Sequence, residues 1–295
     1  MKFVLDADQR DFAASLDSLL SSSDTVAVAR AWADGDSAPG LKLWSRLAEQ
    51  GVLSLATDAT PVELCIAFEA LGRYAVPGPW VESAAYLPVA LGREVDGVAT
   101  VALPPHVPYA LDADVADQVY VGDTLTTDIG ELVGSVDRTR RLFQVGGFEA
   151  RSARTSTTDD AFDLAVLAVS AQLLGAGERV LADSVTYVKQ RKQFGREIGS
   201  YQAIKHALAD VRIALDFARP LVFGAALGEV PASAAKVAAA DAAYLASRTG
   251  LQVHGAIGYT QEFDLSIWIT KIRALVGAWG TPAHHRARLL EALVS

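Results

Sequence analysis

Apolar residues return every three or four positions through the first 90 residues. Phe12, Leu16, Leu19 and Leu20 fall on one helical face, Leu43, Trp44 and Leu47 on a second, and Leu64, Phe68 and Leu71 on a third. Each stripe predicts a helix with one buried side. Pro77-Gly78-Pro79 interrupts the pattern, and Trp80 to Leu91 predicts a further helix stopped by Gly92. From Gly97 the period shortens, and Ala99 to Leu103, Gln118 to Gly122, Gly130 to Val136 and Arg141 to Val145 read as strands. Pro104, Pro105, Pro108, Asp112, Asp114 and Asp117 crowd the spaces between them, so these strands must be short. At about 55 residues the region is too small for an independent core and must lean on helices. Long alanine-rich periods follow: Phe162 to about Arg191, Gln202 to Arg219 ahead of Pro220, Ala232 to about His254, and Phe263 to Ala278. Their lengths suit a bundle, with Pro231 in a first turn and Gly255 and Gly258 placed to end the third segment. The pattern predicts a mainly α chain with a small β middle domain: an N-terminal helical domain (1–95), a shortened β domain (96–158) and a C-terminal helical bundle domain (159–295).

Composition narrows the classes of function. A 51% apolar content excludes intrinsic disorder, and 35 acidic against 26 basic residues argue against nucleic acid or an anionic membrane as partner. The single cysteine, Cys65, permits neither an intrachain disulfide nor a cysteine metal cluster. No asparagine is available for glycosylation, and Met1-Lys2-Phe3-Val4-Leu5-Asp6 lacks the apolar core of a secretory signal, so a cytoplasmic location is expected. The longest apolar stretch, Leu164 to Gly177, has 14 residues, short of the roughly 20 that cross a bilayer.

Most chemical motifs are missing. His106, His206, His254, His284 and His285 form no His-Glu-x-x-His pattern, so no metal site is expected. Gly175-Ala176-Gly177 lies inside a helical run without a third glycine or a preceding strand, which favours helix packing over phosphate binding. Two segments stand out. In Arg191-Lys192-Gln193-Phe194-Gly195, followed by Gln202, a guanidinium, exposed backbone N–H groups and an amide meet at a junction between helices. A solvated basic turn explains the same residues. In Gln252-Val253-His254-Gly255-Ala256-Ile257-Gly258, two glycines let a ligand approach the backbone, and helix capping accounts for them equally well.

Together these stretches resemble the two signature segments of the acyl-CoA dehydrogenase family, in which Arg-x-x-Phe-Gly leads to a Gln and a Gln-x-x-Gly-x-x-Gly follows. Phe3 to Leu20, Leu43 to Gly51 and Phe68 to Arg73 are similar to it as well, and the middle region is the weakest. The resemblance implies a helical domain, a β domain and a four-helix-bundle domain enclosing FAD, with one subunit gripping its neighbour's adenosine diphosphate. It implies that Arg191 meets the pyrophosphate and Gln202 the adenine side, with Phe194 beside them. Gln252, Val253, His254, Gly255 and Ala256 would add amide and backbone contacts, Ala256 standing where a second glycine is usual.

The chain departs from the family where the chemistry occurs. That reaction removes the α-proton with a carboxylate while hydride passes from the β-carbon to the flavin. The usual base precedes Gly-Thr, 27 residues after the signature glutamine; here that residue is Trp279, followed by Gly280 and Thr281. The minority position, 26 residues before the signature arginine, is Ala165. Neither can accept a proton. Thr-Glu-Pro, which packs on the flavin ring in relatives, is absent, and the β region has about half their length. The chain therefore resembles most the short, base-less subunits of heteromeric acyl-CoA dehydrogenases from actinobacteria, several of which act on CoA thioesters of sterol side chains. That likeness implies a subunit inactive alone, which completes the adenosine side of a shared FAD site in a heterotetramer. A glutamate-bearing partner would supply the base for α,β-desaturation of the acyl-CoA, and Trp279 would fill this chain's own acyl pocket. Two other readings stay open. One is a self-sufficient homomeric flavoprotein with its base displaced to Glu178, Asp183, Glu262 or Asp264, each of which also reads as a solvated or capping charge. The other is a flavin-free scaffold that binds acyl-CoA or acyl carrier.

Overall fold

A computed structural model of the chain describes residues 4–146 and 156–294. Phe3 and residues 147–155, the last part of the expected β domain, lie outside the described residues. Helices α1 (Ala7–Ser21), α2 (Thr25–Ala33), α3 (Ala38–Glu49), α4 (Leu55–Asp58) and α5 (Pro61–Arg73) form the first layer. Two start in reciprocal caps. Asp6 accepts from the Gln9 N–H while the Gln9 side chain accepts from Asp6 N–H, and Thr60 and Glu63 repeat the arrangement at α5. Leu16, Leu19, Leu20, Leu43, Trp44, Leu47, Leu64, Phe68 and Leu71 are all buried, as their periodicity predicts. The helix over Trp80–Leu91 is broken midway by a π turn (Glu82–Tyr86) ahead of α6 (Leu87–Leu91) and stops at Gly92, whose φ is +64°.

The β region holds two three-stranded sheets. β1 (Ala99–Ala102), β3 (Gln118–Val121) and β4 (Thr124–Leu125) form one, in that order, with β1 and β3 parallel. β2 (Ala110–Leu111), β6 (Leu142–Val145) and β5 (Ile129–Val133) form the other. Its private core is little more than Ala110, Ala113 and Val119, whereas Ala99, Val101 and Tyr120 join the main core. The attachment is polar too: Ser83 of the π turn donates to Ala99 O (2.6 Å) and accepts from Ala99 N–H (3.0 Å). The sheet leans on the helices, as its size requires.

Helices α7 (Ser156–Gln190), α8 (Gln202–Ala226), α9 (Ala232–His254), α10 (Leu265–Gly277) and α11 (Pro282–Val294) complete the chain. α7 is central and packs on α5, α8, α9 and α10. It is long and apolar enough to cross a bilayer, and 83% of its apolar window is buried inside the protein. At its crossing with α5 the backbones touch. A Cβ on Gly175 would lie 1.9 Å from Glu69 O, and one on Gly72 2.0 Å from Gln172 O. Gly175 is thus a packing glycine.

Two sequence expectations need correction, and one helix lies outside them. α8 does not stop before Pro220 but runs through it to Ala226. The carbonyl that loses its donor belongs to the exposed Asp216, where water can serve it, and the extra turns bury Val222, Phe223 and Ala226. Pro231 caps α9 from the position before its first turn. α11, a fifth C-terminal helix, follows Gly280-Thr281 and carries only one buried side chain, His285, which left it without an apolar stripe to find.

Candidate functional site

The end of α7, the start of α8 and the end of α9 lie at one end of the bundle. Tyr187 of α7 stacks on His254 of α9, with ring centroids 4.2 Å apart, and so couples the two conspicuous segments. Between α7 and α8 the chain makes a hairpin of β7 (Lys192–Gln193) and β8 (Arg196–Glu197). Phe194 (φ +53°) and Gly195 (φ +79°) form its turn, and the Phe194 side chain is 91% exposed. Arg191 is exposed, and its guanidinium makes no hydrogen bond or ion pair with any described residue. Gln202 opens α8 in solvent, its Oε1 3.0 Å from His206 Nε2, and no side chain among the described residues caps the first N–H groups of that helix.

Along the second segment Gln252, Ala256 and Ile257 are exposed. Val253 and His254 face inward; the His254 ring lies 2.7 Å from Gly250 O through Nδ1, and burial holds its pKa below the usual value. These two can offer a ligand only their backbone. Gly255 has φ +62° and ends α9, with open space where a Cβ would stand. Capping explains Gly255, while Gly258 sits buried in the 3-10 turn that follows and does not adopt a left-handed backbone.

Trp279 is far from this display. It follows α10 with φ +56° and is 1% exposed. Its indole Nε1 donates to Glu82 Oε1 at 3.3 Å, and its ring lies against Tyr86 (5.0 Å) and Phe162 (5.8 Å). Its carbonyl accepts from His285 Nε2 (3.0 Å), so the second His285 nitrogen accepts from Ser233 Oγ (2.9 Å). Burial pulls His285 down to about 4, which keeps that ring neutral. Beneath the loop, Lys236 Nζ donates to Leu275 O at 2.6 Å.

A family model for the acyl-CoA dehydrogenase C-terminal domain matches residues 156–294. The curated acyl-CoA dehydrogenase IpdE2 of Mycobacterium tuberculosis is 31% identical over 93% of this chain and 90% of its own length. The chain belongs to the acyl-CoA dehydrogenase family. Among solved structures, the ChsE4-ChsE5 complex from Mycobacterium tuberculosis matches with a TM-score of 0.79 at 20% identity, covering 100% of this chain and 99% of that one. The Tcur3481-Tcur3483 steroid ACAD matches with a TM-score of 0.80 at 18% identity, covering 98% and 99%. These likenesses show the fold.

In this member of the acyl-CoA dehydrogenase family the two positions expected from the resemblance to carry a base, Trp279 and Ala165, are both fully enclosed. Three of the four carboxylates considered as substitutes are engaged in ion pairs. Arg212 grips Glu178 through two 2.7 Å bonds, and Arg219 reaches it at 3.4 Å. Burial raises the Glu178 pKa, but the two arginines outweigh it and hold the carboxyl below its usual range. Asp183 pairs with Arg179 and Asp264 with Arg30, both at 2.8 Å, and Glu262 is exposed. The carboxylate that does touch Trp279 is Glu82, which sequence reasoning passed over. The signal was present: Glu82 is the only charged residue between Trp80 and Leu91. A cleft of about 150 Å³ opens between α2, residues 136–139 and α10, but Arg30, Arg138 and Asp137 in its wall are each matched by an opposite charge.

Proposed function

We propose that this chain is the accessory subunit of an FAD-dependent acyl-CoA dehydrogenase. It completes the adenosine-diphosphate side of a flavin site shared with a longer, glutamate-bearing subunit. One contrast carries the reading: the exposed groups Arg191, Phe194, Gln202 and Gln252 gather at one end of the bundle, whereas the family's base positions are occupied by a buried tryptophan and a buried alanine. The donor set fits a dinucleotide diphosphate. It offers a guanidinium with no partner among the described residues, two amides, uncapped N–H groups at the start of α8, and backbone at Gly255 with no Cβ to block approach. The residues around Trp279 do not fit a flavin ring and a thioester, because side chains fill that space.

In this division of labour FAD supplies the hydride acceptor, and the partner's carboxylate takes the α-proton. This chain binds and orients the diphosphate end. The ChsE4-ChsE5 likeness supports a heteromer, a two-plus-two assembly being the proposed form, and the steroid ACAD likeness supports a steroid CoA thioester as substrate class. The single buried Cys65 suits a reducing cytoplasm.

The test is absorbance at 450 nm, with FAD counted, for the chain purified alone and together with its glutamate-bearing partner. Colour confined to the mixture, near one flavin per pair, is the expected result. Colour in the lone chain overturns the accessory reading, and colour in neither returns the flavin-free scaffold.

A further inference from the structure

The Trp279 indole lies in a box whose walls come from distant parts of the chain. Tyr86 and Glu82 reach it from the π turn, an irregularity frequent at functional sites, and Phe162 reaches it from α7. Glu82 is 1% exposed; Oε1 takes the indole N–H and Oε2 has no hydrogen-bond partner among the described residues. From the other side the loop is locked, since a Cβ on Gly280 would fall 2.7 Å from His285 Nε2. Two local rules are broken together here. A bulky residue takes a left-handed backbone, and a carboxylate is buried with one oxygen unmatched. Filling space calls for neither, because leucine or phenylalanine would do that without asking for a hydrogen-bond acceptor.

We propose that Glu82, Tyr86 and Phe162 form a recognition site for a planar aromatic N–H donor, which the chain fills with its own Trp279 indole, Glu82 being the residue that selects it. The built-in occupant keeps this box filled whichever subunit holds the flavin. The inference therefore stands apart from the shared-flavin reading.

Trp279→Gly removes the occupant, and glycine suits φ +56°. Calorimetry of the full-length variant with free indole is expected to show saturable uptake, with none by the wild type. Benzofuran, which has the same shape but an oxygen in place of the N–H, is expected to bind at least about tenfold more weakly. The pair E82L/W279G is expected to lose that preference. A folded W279G that ignores indole, or binds both probes equally, overturns the proposal. Where W279G does not fold, melting temperatures of Trp279→Phe variants decide. W279F leaves Glu82 without its donor and should melt below wild type, and E82L/W279F should recover part of the loss. The reverse order of those two variants overturns the proposal as well. The flavin count is a separate readout, so either conclusion survives the failure of the other.

Discussion

Lys236 is enclosed on all sides, and burial, with added repulsion from Arg140, pulls its ammonium down to about 7. Unfolded, it titrates near 10.5. Between those values the unfolded chain holds a proton that the folded chain has lost, so stability rises with pH across that window. Asp112 behaves oppositely. Burial pushes its carboxyl up to about 7 despite Arg141, Trp32 and Arg140, against 3.8 when unfolded, so the folded state holds the extra proton and stability falls as pH rises from about 4 to 7. His285, lowered to about 4, opposes Asp112 over part of that range, so differences between variants are the clean observable. Urea unfolding is expected to show that Lys236→Met loses the gain the wild type makes between pH 7 and 9.5. Asp112→Asn should lose less stability than wild type between pH 4.5 and 7, because Asn still accepts from the Trp32 indole and Arg141 N–H. Equal slopes in wild type and K236M would mean that the ammonium stays charged in the fold. None of this is legible in sequence, since what surrounds Lys236, Asp112 or Glu82 comes from far along the chain. Glu82 meets Trp279 across 197 positions, and no window of local pattern spans that.

Among the elements, most helices with an apolar face on the core were legible, but α2, with Val28, Ala29 and Trp32 buried, was not. The stripes over α1, α3, α5 and α9 need only a 3.6-residue period, and the structure buries them. α11 lacked such a face, and α8 beyond Pro220 was hidden because proline is a stop signal only where burial does not repay it. The positions of β1, β3, β5 and β6 were legible, but the two-residue strands β2 and β4 and the division into two sheets, with parallel β1 and β3, depend on tertiary pairing. The α5–α7 crossing is where element geometry carries its own prediction. Gly175→Ala forces a methyl onto Glu69 O, and no rotamer change can move a backbone carbonyl, so a loss of about 3 kcal/mol is expected. Gly134→Ala is the control. It has open space and no positive φ, and should stabilise by about 0.4–1 kcal/mol through the unfolded chain. Thermal unfolding of the two variants checks both signs.

For the whole molecule, the question is whether the exposed end of the bundle serves the fold or something outside it. Phe194 poses it most sharply. With Gly195 it occupies a tight hairpin turn in which both central residues have positive φ, a geometry that favours Asn-Gly, yet it presents a large apolar ring to water. Neither the turn nor the core gains from phenylalanine there. Phe194→Asn is therefore expected to leave the isolated chain unchanged or to stabilise it by roughly 0.5 kcal/mol. In the assembly proposed above it should weaken flavin retention. Arg191→Ala extends the argument to charge. Its guanidinium holds nothing within the described residues, so unfolding of the lone chain should stay within about 0.5 kcal/mol of wild type. A lost charge-assisted contact to a diphosphate would weaken FAD binding by the mixed complex about tenfold or more. Fluorescence titration of FAD into that complex, beside melts of the separate chain, reads both quantities. Stability lost with flavin affinity intact would make this end of the bundle structural. Affinity lost with stability intact would mean that these residues act on a molecule that the chain alone does not contain.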